Sequence, residues 1–200
     1  MERISDDRKI SKEDVLLEEK YYDDVEYVLI PHDDLLNNIK NLAGRIRNDY
    51  KEVYFLCVLE GAKVFYDELK KHLGNLKFEE GFVSAKSYSN TGSTGDIRVK
   101  GFDFDELKEK NVLIVDDILD TGRTLHKILK DVKRSKPQSL EISVLFEKRN
   151  NYEHGLKAKY TGFSIPDKFI IGFGMDYNEK FRELKHTCVI SKNAIEKYKV

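Results

Sequence analysis

Residues 112–124 read VLIVDDILDTGRT, so four aliphatic residues lead directly into Asp116, Asp117, Asp120, Thr121, Gly122, Arg123 and Thr124. In an open α/β sheet, ligands bind beyond the carboxyl ends of the strands, and an apolar run ending in a polar cluster marks such an end. Thr121 to Thr124 open the following helix. Unpaired amides at a helix start, two hydroxyls and a glycine that permits close approach make a cradle for a phosphate monoester. Acids beside a phosphate repel it unless they serve other parts of the ligand. An adjacent pair of carboxylates suits the hydroxyls of a ribose, or a Mg²⁺ ion that also binds a substrate diphosphate. Asp120 is then left as a candidate general base. The competing reading makes the acids a helix cap and the glycine a turn. Three acids, two threonines and a glycine within residues 116–124 exceed what a cap needs.

The elements that must position this cluster follow from the apolar spacing. Leu35, Leu36, Ile39, Leu42, Ala43 and Ile46 recur at helical intervals and predict a helix over 33–50. The continuous apolar run 53–59 reads as a strand buried on both faces, and 62–73 as a second helix. The order then repeats, with a buried strand over 112–115, a polar turn, and a helix whose apolar face is Leu125, Ile128, Leu129 and Val132. A third apolar strand covers 140–146. Alternating strands and helices imply a parallel sheet covered by helices on both faces. Residues 84–95, SAKSYSNTGSTG, break the rhythm and are expected to form a long mobile loop. Residues 169–200 carry short β-like pieces, FIIGF and TCVIS, and are expected to form a small lobe at the sheet edge together with the first ~35 residues. No repeat, low-complexity tract or linker divides the chain.

Composition narrows the class of partner. The 200 residues include 35 basic and 36 acidic side chains, a formal charge of −1. That balance argues against a protein that holds nucleic acid by bulk charge, and favours a small-molecule partner. With 40% hydrophobic residues, 11 Phe, 11 Tyr and only 3 Pro, the chain is an ordered globular one. The longest apolar run, 53–59, is far below the ~20 residues needed to cross a bilayer, and MERISDDRKI lacks the apolar stretch of a secretory signal. A cytoplasmic protein without a membrane span is expected. Cys57 and Cys188 each sit in an apolar segment and read as small buried hydrophobes, not a disulfide.

The central motif resembles the phosphoribosyl-pyrophosphate signature of the purine phosphoribosyltransferases. LEGA at 59–62 is similar to the pyrophosphate loop of that family, and KSYSNTGSTG from Lys86 resembles its catalytic flexible loop. FEKR at 146–149, IPDKFIIGFGMDYNEKFREL from Ile165 and HTCVIS from His186 follow the order found in the hypoxanthine-guanine branch, so the match spans about Tyr27 to the C-terminus. The resemblance implies an α/β type I phosphoribosyltransferase fold, a mainly parallel twisted sheet flanked by helices. One domain is implied, with a core of about 36–167 and a hood of about 1–35 plus 168–200. It also implies transfer of the 5-phosphoribosyl group from phosphoribosyl pyrophosphate to hypoxanthine or guanine, giving IMP or GMP and pyrophosphate. Mg²⁺ is the implied cofactor, and a homodimer or homotetramer the implied assembly, with no nucleic acid or membrane partner.

Residue roles are carried over by the same resemblance. Asp120 takes or holds the proton at purine N7. Asp116 and Asp117 bind the ribose hydroxyls and help place Mg²⁺, and Asp120, Thr121, Gly122, Arg123 and Thr124 form the 5′-phosphate nest. Lys148 donates to the purine 6-oxo group, Phe169 stacks on the ring, and Ile118, Ile170 and Asp176 complete the purine site. Leu59, Glu60, Gly61 and Arg182 bind pyrophosphate, Asp176 holds a second Mg²⁺, and Ser87 and Tyr88 close over the reacting centre. Read without the resemblance, Lys148 is a solvated strand end, Phe169 is core, and Asp176 and Arg182 are a surface charge pair.

One position departs from the pattern. Glu60 stands where relatives usually carry Lys or Arg, and a carboxylate cannot donate to pyrophosphate. Backbone amides of the loop, with a non-proline cis bond and Glu60 turned outward, are one expectation. Pairing of Glu60 with a basic neighbour is the other. Xanthine acceptance depends on loop geometry around Ile170 and Asp176, which the sequence leaves open. Two rivals are weaker. A nucleotide sensor on the same fold has no use for Asp120, Lys148 and a lid, and a receiver-type phosphoacceptor domain carries its acid pair after the first strand.

Overall fold

The computed structural model describes residues 1–88, 96–149 and 155–199, with 85–88 and 96–100 described by their backbone. Seven strands form the main sheet in the order β1-β8-β7-β6-β3-β4-β5. These are β1 (Glu2–Arg3), β3 (Glu52–Leu59), β4 (Lys77–Tyr88), β5 (Asp96–Lys100), β6 (Asn111–Leu119), β7 (Ser139–Lys148) and β8 (Tyr160–Ile165). Every neighbouring pair is parallel except β4 with the edge strand β5.

The apolar run of β3 is continuous because both of its faces are covered. Val53, Phe55 and Cys57 pack with α1 (His32–Asp49) and α2 (Ala62–Lys71), while Tyr54, Leu56 and Val58 pack on the opposite side with α3 (Arg123–Arg134). Leu35, Ile39, Leu42, Ala43 and Ile46 form the buried stripe of α1, as their spacing predicts. Leu125, Ile128 and Val132 do the same for α3. Cys57 and Cys188 are buried free thiols, and burial pushes both up to about 12.

A second sheet of three strands, β2-β10-β9, builds the hood. Its members are β2 (Val25–Ile30), β9 (Ile170–Ile171) and β10 (Thr187–Ile190), with α4 (Lys192–Lys197) following. N- and C-terminal segments therefore meet in one small lobe, with its own apolar cluster around Tyr21, Val28, Phe181, Leu184 and Cys188. Among the described residues no helix is long and apolar enough to cross a membrane.

Three expectations need correction, and one strand was not anticipated. β6 does not stop at Val115. Its ladder with β7 continues through Asp116, Ile118 and Leu119, so the acid pair is held in a strand and the polar turn shrinks to 120–122. The expected loop 84–95 begins as strand, because β5 offers an antiparallel ladder that satisfies the backbone as far as Tyr88. Residues 89–95 lie outside the described residues. The first residues belong to the main sheet and not to the hood, since β1 pairs with β8 and Ile4 is buried in the main core. Finally, β8 is a fully buried strand that no apolar run announces, its sequence YTGFSI being diluted by Thr, Gly and Ser.

Candidate active site

The carboxyl ends of β3 and β6 open into a cleft of about 330 Å³. Gly122, with φ of +81°, makes the left-handed step that turns the end of β6 into α3, a conformation that costs glycine little. The first bond of α3, from His126 N to Gly122 O at 2.8 Å, leaves the preceding amides directed to the cleft end of the helix. Thr121, Gly122, Arg123 and Thr124 all line the cleft, as the phosphate-nest reading requires. Arg123 N also lies 3.5 Å from Thr121 Oγ1.

Asp116 and Asp117 form the floor. Asp116 is only 7% exposed, and burial followed by the charge of Asp117 holds its carboxyl well above the usual range. Burial raises Asp117 as well, against hydrogen bonds from Asp116 and from backbone amides and the positive field of Arg182. Asp117 N donates to Asp116 Oδ1 at 3.0 Å, and Ile118 N donates to Asp117 Oδ1 at 2.7 Å.

The loop between β3 and α2 forms the facing wall. The Leu59–Glu60 peptide is cis. Gly61 lies so close to β6 that a Cβ there would stand 1.8 Å from Asp117 Oδ2. Glu60 is exposed, lines the cleft and makes no ion pair among the described residues.

A second cleft of about 220 Å³ shares Asp117, Ile118, Asp120 and Asp176 with the first, and adds Lys148, Phe169, Ile170 and Met175. Lys148 ends β7 with its side chain 10% exposed. Its Nζ lies 3.0 Å from Asp120 Oδ2 and 3.3 Å from Asp167 Oδ1. Phe169 is 50% exposed, with its ring edge-on to Tyr177 at 5.6 Å, so it belongs to the slot and not to the core. Asp167 escaped the sequence reading. It lies in the IPDKF motif, but nothing in the linear pattern marks it as a partner of Lys148.

The hood contributes Asp176 and Arg182. Arg182 Nη1 donates to Gly174 O at 2.8 Å, and Nη2 lies 2.9 Å from Asp176 Oδ1 and 3.5 Å from Glu179 Oε2. Asp176 Oδ2 accepts from Glu179 N at 2.8 Å. Both oxygens of Asp176 are thus engaged by the protein. Among the described residues no group of three or more His, Cys, Asp or Glu side chains is arranged to hold a metal ion. Asp116 and Asp117 on the one side and Asp176 on the other therefore make no three-carboxylate cage, and none is expected of two ions each shared with the substrate. An acid pair beside a phosphate cradle still fits a divalent cation, because Mg²⁺ is commonly held by one or two carboxylates together with substrate phosphates. Lys86, Ser87 and Tyr88 pair through their backbone with Arg98, Ile97 and Asp96 in β5, and residues 89–95 of the expected lid fall outside the described residues.

A cleft at the end of a parallel strand, lined by the start of α3 and joined to a slot bordered by Phe169 and the buried Lys148, defines an α/β protein with its candidate ligand site at the carboxyl ends of its strands. A phosphoribosyl transferase domain is matched over residues 31–178, and the chain belongs to the phosphoribosyltransferase family. It is 40% identical over 191 residues to phosphoribosyltransferase domain-containing protein 1 of Homo sapiens, covering 90% of this chain and 85% of that protein. It is also 40% identical over 190 residues to hypoxanthine-guanine phosphoribosyltransferase of Canis lupus familiaris, covering 90% of this chain and 87% of the relative. The crystal structure of hypoxanthine-guanine phosphoribosyltransferase from Schistosoma mansoni in complex with IMP superposes with a TM-score of 0.82 at 26% identity, over 98% of each chain.

Proposed function

We propose that this chain is a purine-salvage enzyme that transfers the 5-phosphoribosyl group of phosphoribosyl pyrophosphate to hypoxanthine or guanine, forming IMP or GMP and releasing pyrophosphate. The observation that carries this reading is the junction of the two clefts at Asp120. One cleft is lined by the nest of residues 121–124, the other by Lys148, Phe169 and Ile170, and both include Asp120.

Each side chain then has a task. Amides at the start of α3 and the hydroxyls of Thr121 and Thr124 bind the 5′-phosphate. Phe169 stacks on the purine, Ile118 and Ile170 border it, and Lys148 donates to the 6-oxo group. Adenine carries a donor at that position and is refused. As purine N9 bonds to the anomeric carbon and the carbon–oxygen bond to pyrophosphate breaks, the proton at N7 passes to Asp120. Mg²⁺, when bound, would supply positive charge toward the pyrophosphate. Asp116 and Asp117 would hold that ion and the ribose hydroxyls, while the cis-peptide loop at 59–61 and Arg182 bind the pyrophosphate. Asp176 orients Arg182 and borders the purine edge. Ser87 and Tyr88 belong to a lid that excludes water from the cation-like centre. A cytoplasmic homodimer or homotetramer is the proposed setting, checked by sedimentation equilibrium.

The test is a spectrophotometric assay with Mg²⁺, phosphoribosyl pyrophosphate and each of hypoxanthine, guanine, xanthine and adenine. Turnover of hypoxanthine or guanine but not adenine is expected, and a folded protein inert with every 6-oxopurine overturns the proposal. Asp120→Ala is expected to lower kcat by ~10²-fold or more while IMP binding persists. Unchanged turnover in that variant would remove Asp120 from the proton transfer.

A further inference from the structure

We propose that Asp167 is a positioning residue for purine recognition. It fixes the Lys148 ammonium at the slot and keeps that charge balanced when Asp120 turns to the purine. The inference rests on the phosphoribosyl transfer proposed above and concerns how the same site reads its base.

The side chain of Lys148 is nearly buried, whereas the carboxylates beside it, Asp120 and Asp167, are open to solvent, at 44% and 66%. A desolvated ammonium is costly unless carboxylates stay close to it. Asp120 provides one of them, at 3.0 Å. During the reaction Asp120 engages N7 and gains a proton there, so its charge is withdrawn from Lys148 at the moment when Lys148 must hold the 6-oxo group. Asp167, at 3.3 Å, does not border the purine slot and is not placed to engage N7. It is absent from the lining of both clefts, so it acts on the base only through the lysine.

The fold places Asp167 there by register. In the parallel pairing of β7 with β8, Lys148 lies opposite Ile165, and Arg149 N donates to Ile165 O at 3.1 Å. The chain then turns at Pro166, where Lys168 N donates to Pro166 O at 2.8 Å. That turn brings Asp167 to the Lys148 head group and sends Phe169 onward to border the slot. One short turn thus carries both the counter-charge of the lysine and the ring proposed to stack on the purine.

Asp167→Asn keeps the size of the side chain and removes its charge, and Asp167→Glu restores it. For Asp167→Asn, the KM for hypoxanthine is expected to rise about tenfold, with no matching change in the KM for phosphoribosyl pyrophosphate. Calorimetric binding of IMP should weaken about tenfold as well. Binding of purine riboside 5′-monophosphate, which bears hydrogen at position 6, should not weaken, and Asp167→Glu should recover most of the IMP affinity. Equal weakening for both nucleotides would mean a general structural role and would overturn the proposal, as would no weakening for either. If wild-type protein turns over no 6-oxopurine, the transfer reading fails while the nucleotide pair still judges Asp167. Absence of IMP binding by wild type would overturn both.

Discussion

Glu60 places a negative charge on the wall of a cleft already floored by Asp116 and Asp117. Positive charge at that end comes from amides, Arg123 and Arg182, and Arg182 is shared with Asp176 and Glu179. Glu60→Lys is therefore expected to tighten product inhibition by pyrophosphate about tenfold, since a charge-assisted donor replaces a repelling acid. The measurement is the inhibition constant of pyrophosphate at fixed Mg²⁺, and an unchanged value would mean that Glu60 faces solvent without influence on the cleft. Neighbouring residues have different fates for physical reasons. Asp116, one residue from Asp117 in the chain, is buried, and burial followed by the charge of Asp117 holds its carboxyl well above the usual carboxylate range.

Three chain segments far apart in sequence touch through two glycines. Gly61 lies against Asp117 of β6, and Gly174 of the hood loop lies against Gly61, where an added Cβ would stand 2.3 Å from the Gly61 carbonyl. Gly174 also has φ of +97°, so a side chain there is refused by conformation as well as by space. Gly61 has ordinary helical φ and ψ, −56° and −43°, and its requirement for glycine is purely one of contact. Gly61→Ala must push Asp117 or the loop aside. It is expected to destabilise the fold by about 1–3 kcal/mol, lowering Tm by about 3–10 °C. Phosphoribosyl transfer should fall by more than about tenfold, because the acid it displaces is one proposed to hold the ribose. Thermal melts paired with kcat/KM decide this. A variant with normal Tm and normal activity would show that the loop and β6 do not press on each other.

Hood and core are joined at His186. Its Nδ1 accepts a hydrogen bond from His32 N, the first residue of α1, at 3.0 Å, so a residue of the hood caps a helix of the core. That bond requires an unprotonated Nδ1. Burial is the main cause that lowers the His186 pKa below 6.5, with the charges of His32 and Lys185 acting the same way and Asp33 and the Leu16 backbone opposing. The unfolded chain then binds more protons than the folded one between the lowered value and 6.5. Stability from this group is complete above about pH 6.5, declines as the pH falls through that window, and declines no further once the folded ring is itself protonated. The urea midpoint should drop between pH 7.5 and 5.5, and His186→Gln, which keeps an acceptor but cannot titrate, should flatten that drop. An identical pH dependence in the variant would show that other groups control it. The near-zero net charge has the same lesson for the whole protein, since a balanced total of 35 bases and 36 acids conceals a local excess of carboxylates at one cleft.

The strand and helix order was legible in the linear chain because it depends on neighbours. Apolar periodicity in 33–50, the run at 53–59, and the change from aliphatic to acidic residues after Val115 each reflect which side of one element is buried. The polar cluster at 121–124 that lines the cleft was legible for the same reason, its residues being consecutive. Ladders were less so: whether Asp116 and Ser84 continue a strand depends on the partner, and β7 and β5 supply it from elsewhere in the chain. The pairing of Lys148 with Asp167, the occupation of both Asp176 oxygens, and the glycine contacts between loops were not legible at all. They depend on strand register and on the angle at which separate elements meet, and no local spacing encodes a distance between residues that only the folded sheet brings together.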